Sequence, residues 1–344
     1  MKKTLSILLF FTTLISCIKE ENLSTTNHLS NKSFNKGLRI DGHEFDSLLI
    51  ENCTFSQKAL NIGNANHITI KNCTFENIKD NGIKIGFIGE ATGIRIENCT
   101  FKNIAANGID SHENAANCII TNCYFENIAQ SDIGAAMGQP HHGIYWKGKN
   151  VVIDGNEFVN GTQNQGNAIS VRSSGIIKNN IIKDAAKNGI MYFSDHPGGD
   201  TLRIENNFII NSNNYSVILA SNGTITNHNK NIIIRFNTMV QTKNESIYIS
   251  EKFENTANIS IYGNIIINST ENYFKTFYTL PDIYTNLKSA TDIGFVNMAT
   301  NNLHITNTSV ANGYCATLEN FPKTDIDNEI RTQLNLDAGA DENN

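Results

Sequence analysis

Short stretches of alternating apolar and polar residues recur along this chain in a common hexapeptide. Ile50-Glu51-Asn52-Cys53-Thr54-Phe55 returns as Ile70-Lys71-Asn72-Cys73-Thr74-Phe75 and as Ile96-Glu97-Asn98-Cys99-Thr100-Phe101. Looser copies occupy 121–125 and 153–158, with further echoes at 177–182, 204–209, 234–239 and 261–266. Period-two alternation in Ile- and Val-rich segments predicts strands. Recurrence every 20 to 33 residues or so predicts a solenoid whose units stack on their neighbours. Gly and Asn punctuate each unit, and no stretch beyond the N-terminus carries a long helical period. The predicted fold is all-β: a right-handed parallel β-helix with rungs about 4.8 Å apart.

One column of this lattice is held by Cys53, Cys73, Cys99 and Cys123, then by Asn156, Asn180, Asn207, Asn237 and Asn264. An inward Asn at the same turn of every coil is expected to hydrogen-bond the coils above and below. Cys suits the slot as a small, buriable side chain. The column reads as structural, because a metal site needs ligands that converge. A second strand follows each hexapeptide, aligned on Gly82, Gly108, Gly143, Ala168, Gly189, Ser216 and Ser246, each followed by Ile or Val. With that Ile or Val inward, alternation turns outward Lys84, then Asp110 and His112, Tyr145 and Lys147, Ser170 and Arg172, and Met191 and Phe193. Trp146 is expected to point into the core.

Chemistry-bearing residues concentrate on the middle coils of that face. His112, Lys147 and Arg172 are expected in one column, with Tyr145 beside them. Insertions flank the same place: 131–142, with Asp132 and the pair His141-His142, and 194–200, with Asp195 and His196. Long loops around one exposed sheet face make a groove. Lys147 and Arg172, about 5 Å apart at their Cα atoms, are expected to repel, which pushes the lysine toward a neutral amine. A lysine base beside a fixed cation suits abstraction of the proton next to a uronate carboxylate, the cation stabilising the anion that forms. Tyr145, His112 or Arg172 would help protonate the 4-linked leaving oxygen. Lys147, Arg172, His142 and Tyr145 are therefore the candidate catalytic residues. Asp110, His112, His141, Ser170, Phe193, Asp195 and His196 are the candidate substrate contacts.

A net charge of -6 argues against a general nucleic-acid binder. Met1-Lys2-Lys3 and the apolar run 5–15 read as a secretory signal, too short for a membrane span. Leu14-Ile15-Ser16-Cys17 resembles a bacterial lipoprotein signal. The resemblance implies acylation at Cys17 and an outer-membrane or cell-surface protein, facing the periplasm or the exterior, that meets the membrane through lipid alone. The expected organisation is signal 1–17, polar tether 18–37, β-helix 38–275, and a final coil and cap 276–344, as a monomer. Asp325-Ile326-Asp327-Asn328-Glu329-Ile330-Arg331 and the stretch from Leu336 to Glu342 resemble the terminal signature of many secreted bacterial β-helix proteins. Here Asn328 replaces a glycine and Asp341 an aromatic. That resemblance implies a cap over the last coil, which an open sheet edge needs.

The pair Lys147 and Arg172 resembles the Lys and Arg on adjacent coils of the alginate lyase/chondroitinase B polysaccharide lyases, which are pectate-lyase-like solenoids. The resemblance implies Lys147 as base, Arg172 assisting as acid, an acidic polysaccharide as partner, and calcium as the candidate ion. That family's Asn/Glu calcium cluster has no clear counterpart here. Gln139-Pro140-His141-His142, followed by Arg172, is similar to the Asp-Pro-His and Arg of the β-helix mannuronan epimerases, with Gln in place of Asp. Two readings stand beside lyase and epimerase. A glycoside hydrolase needs two carboxylates about 5 to 10 Å apart, whereas Asp110 and Asp195 are expected about 14 Å apart on the rung spacing, with Asp132 as a third acid. A non-catalytic glycan-binding protein would spread aromatic platforms over many coils.

Overall fold

The computed structural model describes residues 27–130, 140–159, 166–196, 199–222, 229–251, 257–268, 270–277 and 282–343. The signal with Cys17, tether residues 18–26, Asp132, Gln139, Pro197 and Gly198 lie outside the described residues. Successive coils contribute strands to three parallel sheets of 11, 11 and 10 strands. The first sheet runs from His28–Ser30 to Asp282–Tyr284, the second from Ser33–Phe34 to Leu287–Ser289, and the third from Leu38–Asp41 to Phe274–Thr276. The pairing aligns the hexapeptides residue for residue, Ile50 on Ile70 on Ile96, and Phe55 on Phe75 on Phe101 on Phe125 on Phe158. The expected parallel β-helix is the fold.

Burial follows the alternation. The inward phenylalanines from Phe34 to Phe158 form one stack with centroids 4.6 to 4.9 Å apart. Each such contact contributes about 0.5–1.5 kcal/mol beyond its buried area. The turn from first to second sheet places Asn52, Asn72, Asn98, Asn122, Asn179 and Asn206 in the left-handed region, which Asn tolerates better than branched residues. The next residue enters the polar column. Asn156 Nδ2 donates to Asn180 Oδ1 at 3.0 Å, and the same bond repeats through Asn207, Asn237 and Asn264 to Asn286. The cysteines below it are free and buried, and their thiols donate to backbone carbonyls, as Cys53 does to Glu51 O at 3.3 Å.

Two boundaries differ from expectation. Residues 28–34, read as tether, already form strands of the first coil. Leu29 is buried and Phe34 stacks on Phe55; two inward apolar residues suffice for a strand even in a polar stretch. The C-terminal segment, expected over the last coil, lies along the flank of the second sheet. Its Ile293, Phe295, Leu303, Ile305, Leu336, Ala338 and Ala340 pack with Phe208, Ile210, Val240, Ile265 and Ile267 in a second core. Ala340 N donates to Thr238 Oγ1 at 3.0 Å and Gly339 N to Gly263 O at 2.8 Å. A Cβ on Gly339, whose φ is +88°, would collide with Ile265. Phe208–Ile210 and Ile265–Ile267 are buried on both faces for this reason. Unbroken apolar triplets of that kind signal a strand covered on both sides.

Candidate active site

The register of the third sheet assembles the outward face. Lys84 pairs with Asp110, Asp110 with Tyr145, Tyr145 with Ser170, and Ser170 with Met191. The next outward positions run His112, Lys147, Arg172 and Phe193, one residue beyond the aligned Trp146, Val171 and Tyr192. Backbone bonds hold this second column. Lys147 N donates to Ser111 Oγ at 2.8 Å and Arg172 N to Trp146 O at 2.9 Å. Trp146 is fully buried, as alternation requires.

Tyr145 is the hub. Lys147 Nζ lies 4.6 Å from its ring centroid and Arg172 Cζ 4.8 Å from it. Arg172 Nη2 also donates to the Tyr145 hydroxyl at 3.2 Å. Two more aromatics enclose the cations: Phe87 at 5.0 Å from Lys147 Nζ, and Phe193 at 4.7 Å from Arg172 Cζ. Cation–π contacts of this kind contribute about 0.5–2 kcal/mol, more where water is excluded.

Each cation has its own acid. Lys147 Nζ is 3.5 Å from Asp110 Oδ1, and Arg172 Nε is 3.3 Å from Asp195 Oδ1, which His196 Nδ1 meets at 2.8 Å. The repulsion expected between Lys147 and Arg172 is thus answered by two carboxylates, an arrangement that strand alternation alone does not predict. Burial pushes the Asp110 carboxyl above its ordinary range, with the Lys147 charge pulling it partly back. Asp110 Oδ1 and Arg172 Nε have only these ion-pair contacts, and Ser170 Oγ and Arg172 Nη1 are buried without a hydrogen-bond partner, Arg172 being 7% exposed. Buried groups left in this state are costly.

The remaining candidates separate. His112 meets Phe87 edge-on at 5.5 Å and so borders the site. His142 is buried with its ring 5.0 Å from Tyr145. Its backbone N–H donates to Asn107 Oδ1 at 2.6 Å, and its Nδ1 accepts from Asn167 N at 3.0 Å. It thereby takes an Asn position in a second polar ladder that runs from Asn81 through Asn107 and Asn167 to Asn188. Burial, then the charges of Arg172, His141, Lys187 and Lys147, hold its imidazole well below the ordinary histidine range. His141 lines a separate cavity of about 30 Å³ with Phe125, Phe158, Asn167 and Lys183. Phe87 was not anticipated from sequence. An aromatic between glycines, in Gly86-Phe87-Ile88-Gly89, was the available signal, and it stays 42% exposed.

Calcium takes six to eight oxygen ligands. Asp110 and Asp195 are both committed to cations, and no third acid converges on them among the described residues.

No curated protein matches the chain. Among solved structures, the complex of XylC with xylose aligns with a TM-score of 0.52 and 11% identity, over 87% of this chain and 65% of that one. Pectate lyase Pel9A aligns at 0.49 and 12%, over 93% and 84%. The PL6 family alginate lyase AlyGC aligns at 0.38 and 15%, over 77% and 49%. This chain therefore spans just under two thirds of XylC and about half of AlyGC. At such identities the likeness is one of fold. The family model described as "Right handed beta helix region" matches residues 15–139 and 58–239, more than half of the sequence. The stacked parallel coils and that match agree, and the chain belongs to the right-handed β-helix family.

Proposed function

We propose that this protein is a polysaccharide lyase that cleaves a uronate-containing glycan by β-elimination on the third-sheet face. The observation that supports this most is Arg172: a buried guanidinium one rung from Lys147, with Nε on Asp195, Nη2 on the Tyr145 hydroxyl and Nη1 without a partner. Its Nη1 is left to donate to a substrate carboxylate in a charge-assisted hydrogen bond. With the uronate carboxylate on Arg172, the proton on the adjacent carbon becomes more acidic, and Lys147 is the amine placed to remove it. Asp110, already beside Lys147 Nζ, holds the ammonium that results. The Tyr145 hydroxyl accepts from Arg172, so its own proton is left to donate to the departing glycosidic oxygen. Hydrolysis is less well supported, since Asp110 and Asp195 each serve a cation. The fold is shared with XylC, whose structure is a complex with xylose, but fold likeness does not carry an activity. A lipid on Cys17 would hold this face at the cell surface.

The test is ultraviolet absorbance of the purified protein with a panel of uronate polymers, with and without calcium. A rise from unsaturated uronate is the expected result. New reducing ends without absorbance would move the function to hydrolysis. Proton exchange from heavy water without cleavage would move it to epimerisation, and no change of any kind would leave a binding protein.

A further inference from the structure

A second constellation sits where the C-terminal segment meets the flank of the helix. A ring nitrogen of His304 and one carboxylate oxygen each of Asp327 and Asp341 lie within 4.8 Å of one another. The neighbouring acids of this segment already have partners. Asp325 accepts from the backbone N–H groups of Asp327, Glu329 and Glu342, Asp337 from those of Gly313 and Asn343, and Glu342 from Arg331. Asp327 and Asp341 are differently placed. Asp341 is 5% exposed and accepts from Ile305 N through Oδ2 at 2.7 Å.

Both ring nitrogens of His304 face oxygen atoms. Asn302 Oδ1 accepts the His304 backbone N–H at 3.3 Å and lies 2.6 Å from His304 Nδ1, which donates to it in the Nδ1–H tautomer. In that tautomer Nε2 faces Asp327 Oδ2 at 2.8 Å. A proton or a metal ion between the two would satisfy both. A metal-bound histidine commonly donates its second nitrogen to an oxygen acceptor, and Asn302 Oδ1 beside Nδ1 is such an acceptor. Two adjacent ligands on one small cation stand about 3 Å apart when each lies about 2 Å from the metal.

A groove of about 440 Å³ opens onto the same side chains, lined by His304 and Asp327 with Asn122, Asp154, Asn179 and Phe208. His304 and Asp327 keep 42% and 51% of their side-chain surface exposed, which leaves an entry path.

We infer that His304 Nε2, Asp327 and Asp341 bind a divalent transition-metal ion of the Zn²⁺ class, with an open coordination position toward this groove. The imidazole selects against Ca²⁺ and Mg²⁺, which favour all-oxygen sets. The site is independent of Lys147 and Arg172 and of the reaction proposed for them.

The full chain in detergent, stripped with a chelator and kept reduced, is titrated with Zn²⁺ by calorimetry and with Co²⁺ by absorption. The expected result is one ion per chain, with cobalt ligand-field bands but no near-ultraviolet thiolate band. His304→Gln and Asp341→Asn should each weaken binding more than about tenfold, and Asn302→Ala by about 10- to 100-fold. His304 is partly exposed, so His304→Gln stays informative if Asp341→Asn unfolds. Absence of Zn²⁺ binding, a thiolate band, unchanged affinity in His304→Gln, or preference for Ca²⁺ would each overturn the inference. The first and third outcomes would leave a plain imidazolium–carboxylate pair.

Discussion

Asn167 donates its backbone N–H to Nδ1 of His142 at 3.0 Å, so a histidine ring completes a ladder built elsewhere from asparagine. A ring that must accept at Nδ1 cannot be protonated there. Its folded pKa lies well below the ordinary histidine value, so above about pH 6.5 neither state binds this proton. As pH falls below that value the unfolded chain takes up the proton first, and stability is lost. His142→Asn keeps the ladder and removes this titration. Urea midpoints measured between pH 7.5 and 5 should fall less in the variant than in the parent. Equal slopes would show that His142 does not report the acid loss.

Lys147→Arg separates base from counter-charge. The guanidinium keeps the charge and the aromatic contacts but does not deprotonate near neutrality. Both Lys147→Arg and Lys147→Ala should lower turnover by about 10²- to 10⁴-fold, as loss of a general base does. Initial absorbance rates with the accepted polymer give the comparison. Full activity in Lys147→Arg would assign Lys147 to electrostatics alone.

Tyr145→Phe removes one hydroxyl and keeps the ring between Lys147 and Arg172. The fold should lose only about 0.5–1.5 kcal/mol, the worth of one hydrogen bond. If the phenol protonates the leaving oxygen, kcat falls while KM changes little. A fall in neither would place the acid on another group.

The inner Asn ladder makes its own prediction. Asn207 donates to Asn237 Oδ1 and to the carbonyls of Ile177 and Glu205, and its Oδ1 accepts from Asn180. Asn207→Ala leaves carbonyls and an N–H buried without partners, at about 1–3 kcal/mol each. Thermal unfolding should drop by several degrees, whereas Lys58→Ala, on the exposed surface, should have little effect.

The repeat alone specifies the fold. A strand buried on one face alternates, and stacking then requires identical residues at identical turns, so Ile50, Asn52, Cys53 and Phe55 announce both strand and register. The same alternation put Asp110, Tyr145, Lys147 and Arg172 on one face. It could not show where long side chains reach. Lys147 and Arg172 find Asp110 and Asp195 across rungs, and Phe87 joins from a loop, because those contacts depend on rotamers and neighbouring coils. His142 looked catalytic by residue type, while its hydrogen bonds place it in a ladder. The C-terminal segment showed the same division. Its sequence marked a cap, yet only packing decided that it lies against the second sheet, bringing Asp327 and Asp341, far from the hexapeptide repeats, beside His304. Local periodicity is written in the chain because neighbours in sequence share one backbone geometry. Convergence of distant side chains is decided only when the whole solenoid has closed around its core.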